Sequence, residues 1–231
     1  MKVRFTPRIA LKHLAMLLAI SLPNVVQAQQ SERKYPLGPD SMLHADVPAG
    51  TLTEHQLLES NSYPGTIRRY YVYVPTQYQK DKPASLLVFQ DGHTYVDGQG
   101  DWRIPTVLDN LIHRGEIPVT IAVFVDPGHK KQQLPDKPGW NPAPENRSLE
   151  YDTLSNTYAT FLESEILPLV EKDYAISADP AQRAICGISS GGICMVACKL
   201  LRIVCSAARS GTSRYEARNA GAMHFDMLAA K

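Results

Sequence analysis

No proline follows Pro180, no cysteine precedes Cys186, and a single histidine, His224, follows Ser189 in this 231-residue chain. Each scarcity excludes something. The formal net charge is only +1, with acids and bases interspersed, so the chain carries no electrostatic footprint for nucleic acid or an anionic membrane. A small or neutral partner fits better. The cysteines, Cys186, Cys194, Cys198 and Cys205, include no Cys-x-x-Cys pair and have no neighbouring histidines, which argues against a metal site. Cys194 and Cys198 fall on one face of an expected helix, badly placed to bridge, so packing is their expected role. The longest apolar run, "LAMLLAISLPNVV", is broken at Pro23 and is shorter than the roughly 18 residues of a membrane span. It follows the basic "MKVRFTPRIALKH" and leads to the small residues Val26 and Ala28, the pattern of a secretory signal peptide. Residues 1–28 are read as that signal, with cleavage near Ala28 leaving an exported chain, secreted or periplasmic, with no stable membrane span.

The remainder is the size of one ordinary domain. Residues 29–62 read as an extended arm, rich in Pro, Gly and small polar residues, with "TLTEHQLLES" as a possible first edge strand. Residues 63–200 carry the alternation of a core. "TIRRYYVYVP" alternates around Ile67, Tyr71 and Tyr73 and reads as a strand stopped by Pro75. "SLLVFQ" and "VTIAVFV" are short continuous apolar runs, as in strands buried on both faces. Between them "IPTVLDNLIHRG" places Val107, Leu108, Leu111 and Ile112 on one helical face, with Pro105 in the first turn and Gly115 beyond the end. Strand, helix, strand at this spacing predicts a right-handed parallel crossover. A proline-dense loop over residues 126–148 is expected to form a substrate-facing rim. After it, Leu154, Tyr158, Phe161, Leu162, Ile166, Leu169 and Val170 form a helical core stripe, with Pro168 expected to bend or end its first stretch. "RAIC", "GISSGG" and "ICMVACKLL" then predict strand, turn and helix. The fold class is α/β, a mostly parallel sheet with helices on both faces.

That context gives "CGISSGGIC" its meaning. The Gly-x-Ser-x-Gly pattern selects Ser189, and its place between a strand and a helix is what a nucleophile elbow requires. Gly187, Gly191 and Gly192 leave room for the sharp turn and for close helix packing. The amide of Ser190, at the helix start, is one expected oxyanion donor, and "FQDGH" offers the amides of Asp91 and Gly92 as the other. Ser190 itself is the weaker nucleophile, because Ile188 stands where the motif asks for glycine.

From about Tyr63 to Cys194 the chain resembles the enterochelin-esterase-like esterases of the α/β-hydrolase superfamily, relatives of feruloyl and acetylxylan esterases and of mycolyltransferases. The matching stretches are "RRYYVYVP", "LLVFQDG", "VTIAVFVDPG", "NRSLEYDTLSNTYATFLESEILPLVEKDY" and "RAICGISSGG". The resemblance implies a serine ester hydrolase with Ser189 as nucleophile, no metal or organic cofactor, and a small-molecule or carbohydrate-linked ester as substrate. It leaves the acyl and alcohol groups open.

Other residues are weighed on their own chemistry. His93 and Trp102 are candidates for the substrate pocket. Asp91, Asp97 and Asp101 miss the spacing of a calcium loop and read as a polar loop. Arg147 and Glu150 are expected to pair with each other at a helix start. The triad order of this architecture is Ser, then an acid, then His, and after Ser189 only Glu216, His224 and Asp226 remain. His224 is therefore the candidate base, although residues 201–231, basic and without a recognisable strand-helix pair, are too few for the loops that normally carry acid and base. A C-terminal part of the domain is expected to be missing, replaced through a frameshift or early stop near Cys194. Three readings follow: an exported carboxylesterase, an acyltransferase using the same serine, or a ligand-binding remnant without turnover.

Overall fold

The computed structural model describes residues 37–197 and 202–207; the expected signal peptide, residues 29–36, Cys198 and His224 lie outside the described residues. The strands are β1 (Thr51–Leu57), β2 (Arg68–Val74), β3 (Ser85–Gln90), β4 (Thr120–Val125), β5 (Arg183–Ile188) and β6 (Arg202–Ala207). They form one sheet in the order β1-β2-β4-β3-β5-β6. β1 and β2 enter antiparallel, whereas β4, β3, β5 and β6 run parallel to one another. The parallel strands point their C-terminal ends at one edge, where ligands of such sheets bind.

Helices cover both faces because the strand side chains alternate between two apolar layers. On one face Leu86 and Val88 of β3, with Ile121, Val123 and Val125 of β4, meet α4 (Thr157–Phe161), a wide π turn (Leu162–Ile166) and α5 (Leu167–Glu171). On the other, Leu87, Phe89, Ala122 and Phe124 meet Ile104, Val107, Leu108, Leu111 and Ile112 of α2 (Ile104–His113). Burying residues such as these removes about 1.5–3 kcal/mol each from contact with water. The crossover from β3 through α2 to β4 is parallel, in the register Leu86↔Ile121.

Several expectations change. β2 is buried along both faces, with Tyr70 and Val72 in one layer and Tyr71 and Tyr73 in the other, so its alternation was not one of core against solvent. Ile67 precedes β2 and bridges His129 instead. Leu154 is largely exposed, because α4 starts only at Thr157 and the turn before it points the side chain outward. Pro168 neither ends nor breaks the helix: the missing N–H and the crowding of the preceding turn are absorbed by the π turn over Leu162–Ile166, immediately before α5. The tail, read as holding no strand followed by a helix, supplies the strand β6. The segment "RIVCSA" has the β-branched content of a strand, and pairing it with β5 covers an otherwise open edge.

Candidate active site

The site lies at the C-terminal edge of three neighbouring strands, β4, β3 and β5. β5 ends at Ile188, and α6 (Ser190–Ala197) begins two residues later. Ser189 makes the whole turn, at φ +60°. A non-glycine residue there is strained by a kcal/mol or so; the reward is a serine held exposed above the sheet. The glycines pay no such tax and are required for space. A Cβ on Gly187 would fall 2.7 Å from the backbone carbon of Gly191, so the strand and helix could not approach as they do. Gln90, fully buried at the end of β3, fills the space against both glycines, and neither its Oε1 nor its Nε2 has a partner among the described residues.

β3 ends in a second left-handed residue, Asp91, at φ +58°. Its buried carboxylate is gripped by Arg147, Nε to Oδ1 at 2.8 Å and Nη2 to Oδ2 at 2.7 Å. Such a bidentate pair fixes direction as well as charge. Its hydrogen bonds to Asp91 push the Arg147 guanidinium further above its ordinary value. Asp91 Oδ2 also lies 3.9 Å from the point where a Gly191 Cβ would stand, so the pair borders the elbow.

In the expected oxyanion loop, the Asp91 N–H donates to Tyr151 Oη at 3.1 Å, and the Gly92 N–H donates to the Val125 carbonyl at 3.2 Å. Ser190, as the first residue of α6, retains an amide with no carbonyl in a preceding helical turn to receive it.

Arg147 and Glu150 do not pair with each other. Both lie on α3 (Arg147–Tyr151), where Glu150 turns inward to a fully buried Arg68, Nη1 to Oε2 at 2.6 Å. Glu150 Oε1 accepts from Gly128 N and Asn146 Nδ2 as well. The inward partner was invisible in the sequence because Arg68 lies 82 residues away. Arg147, three residues earlier on α3, pairs with Asp91 instead.

His93 opens α1 (His93–Val96). Its backbone N–H and its Nδ1 both reach Asp126 Oδ1, each at 2.8 Å, just beyond β4. A carboxylate only accepts, so Nδ1 carries a proton, and in the neutral ring Nε2 is the acceptor. The ring meets Trp140 edge to face at 4.7 Å, and Arg147 lies over the same indole at 5.1 Å. Trp102, the other expected pocket residue, packs instead against Tyr95 and the α2-side core. Sequence reasoning missed Asp126, Trp140, Tyr151 and Gln90; the tryptophan inside the proline-dense rim was the one available signal. Among the described residues no group of three His, Cys, Asp or Glu could hold a metal ion.

An exposed serine on a strained strand-to-helix turn, above a mostly parallel sheet covered on both faces, defines an α/β-hydrolase-type protein. Residues 60–201 match the family model described as "Putative esterase", and the chain belongs to that esterase family. It is 22% identical over 145 residues to the uncharacterised protein YbbA of Bacillus subtilis (strain 168), an alignment covering 62% of this chain and 52% of that one. The ferric enterobactin esterase of Salmonella typhimurium aligns with a TM-score of 0.54 at 19% identity, over 74% of this chain and 38% of its own. An enterobactin esterase of Shigella flexneri gives 0.50 at 21%, over 71% and 36%. The chain thus spans about half the length of the curated relative, and less of the solved ones.

Proposed function

We propose that the chain is a serine carboxylic ester hydrolase working through an acyl-enzyme at Ser189. The observation that carries this reading is Ser189 at φ +60°, exposed between β5 and α6 where Gly187 leaves no room for a side chain. Ser189 Oγ attacks the ester carbonyl as a histidine base takes its proton, the Ser190 amide and the positive end of α6 receive the developing negative charge, and the base returns the proton to the alkoxide, which leaves as the alcohol. His224, outside the described residues, is the proposed base. Water then releases the acid. The apolar start of the sequence supports an exported enzyme. A small ester, aromatic or carbohydrate-linked, is the proposed substrate class; the names of the enterobactin esterases support it.

A second reading has one observation behind it: no described histidine hydrogen-bonds Ser189, since His93 is held by Asp126 and the His129 backbone by Ile67. A chain without a base would bind esters and not turn them over. A fluorophosphonate probe separates the two. Labelling of the folded protein that Ser189→Ala abolishes supports the hydrolase; a folded chain that stays unlabelled supports the binding module.

A further inference from the structure

Away from the elbow the surface carries a groove. Two adjoining cavities of about 480 Å³ and 580 Å³ share Leu58, Ile67 and Gln132 and form one open hollow, each within the usual range of a ligand site. The end of β1, the start of β2 and the rim loop over residues 130–136 line it. β2 runs antiparallel to β4, and β1 antiparallel to β2, so the groove lies toward the same edge of the sheet as Ser189. It is nevertheless a separate place. The steps from β2 through β4 and β3 to β5 span three strand spacings, roughly 14 Å, and neither Ser189 nor Asp91 lines the groove.

Its walls are tied together. The Ile67 N–H donates to the His129 carbonyl at 3.0 Å, and the His129 N–H returns a bond to the Ile67 carbonyl at 2.8 Å. Arg69 joins β1 to the loop, its Nε donating to Glu54 at 2.9 Å and its Nη2 to the Pro135 carbonyl. The charges nearly cancel: Glu54 answers Arg69, Glu145 answers Lys131 at 3.1 Å, and Lys130 and Asp136 leave one charge of each sign. An anion therefore finds little net attraction here. Among the described residues no aromatic side chain lines the groove, so a flat ring finds no stacking partner.

Amides are the surplus chemistry. Gln56, Gln132 and Gln133 are all exposed, and none of their side chains is hydrogen-bonded among the described residues. Each amide offers a donor and an acceptor in one plane, which suits two neighbouring hydroxyls of a sugar. Ile67, Leu134 and Leu58, the last 67% exposed, add an apolar surface on which the C–H face of such a ring can pack. We propose that this groove is an accessory carbohydrate site that binds a neutral oligosaccharide, with the two adjoining hollows holding successive sugar rings. It acts by attachment and needs neither Ser189 nor turnover.

Calorimetric titration of the full chain tests this, with cellohexaose, xylohexaose and maltohexaose as neutral probes and hexagalacturonate as a charged probe of the same length. At least one neutral probe is expected to bind, and more tightly than the hexagalacturonate. Gln132→Ala/Gln133→Ala, changed at two exposed positions, should weaken that binding about tenfold through lost hydrogen bonds while the urea midpoint stays unchanged. Leu58→Asp, beyond the end of β1, should weaken it as well. Ser189→Ala should bind as the unsubstituted chain does. The proposal is overturned if no neutral probe binds, if hexagalacturonate is preferred, or if the double variant binds undiminished. Loss of binding in Ser189→Ala also overturns it, by placing the saccharide at the elbow. Fluorophosphonate labelling decides the esterase reading independently: an unlabelled chain that still binds a neutral probe loses the enzyme and keeps the site.

Discussion

The short helix α3 contributes to two ion pairs that share chemistry and differ in purpose. Inward, Arg68 and Glu150 are wholly buried, with the guanidinium 4.2 Å over the Phe161 ring and Glu150 receiving two further donors. Outward, Arg147 and Asp91 lie at the rim of the site, the arginine side chain 21% exposed. The first pair fastens the rim loop to β2, and Gly128 has no room for a side chain because its Cβ would fall 2.7 Å from Glu150 Oε1. The second holds the strained residue beside the elbow. One short helix thus connects a structural anchor to the catalytic edge, and the contrast teaches that burial, more than pairing, decides what a charged residue is for.

The sharpest way to break the comparison is Glu150→Ala. It strands the Arg68 charge in the core and should cost about 3–5 kcal/mol, read as a lower urea midpoint with an unchanged slope. Arg147→Ala is expected to cost less stability, about 1–3 kcal/mol from the unpaired Asp91 carboxylate, because water reaches the arginine side. Its larger effect should be on chemistry: fluorophosphonate labelling of Ser189 slowed tenfold or more in a chain that circular dichroism shows folded. Equal losses of stability in the two variants would erase the distinction drawn here.

A smaller effect sharpens it further. His129 joins the same rim loop to Ile67 through two backbone hydrogen bonds, and burial lowers the pKa of its imidazole. The unfolded chain, with a histidine pKa of about 6.5, therefore takes up the proton first. Stability from this group is complete above that value and declines as pH falls toward the folded one. Urea unfolding at pH 7.5 and 5.5 should show lower stability at the lower pH from this group, and His129→Asn should flatten the difference.

Sheet, crossover and elbow were legible because each is a local pattern. The apolar runs of β3 and β4, the α2 face and the glycines around Ser189 all express constraints between near neighbours. The partners of the site were not legible. Arg147 and Glu150 stand three apart and invited a pairing, yet each found its charge on another element, Asp91 after β3 and Arg68 on β2. The partners of the Asp91 and Gly92 amides were hidden for a related reason: which way a turn faces depends on a single dihedral, and φ +58° at an aspartate is not written in composition. Pro168 shows the opposite lesson, a local breaker overruled by the packing on both sides of it.

The strand order has a consequence in time. β3 pairs with β5 through Leu86↔Arg183 and Phe89↔Cys186, so the floor of the site closes between segments far apart in the chain. Loop closure over such a span is entropically slow, while β1 with β2, and β3 with α2 and β4, are joined by short connections. Synthesis adds β5 after all of these. Ser189 therefore reaches its place only after β1 to β4 have been made, and until then the apolar edge of β3 stands open, which makes the docking of β5 a step at which a nascent chain is exposed to aggregation.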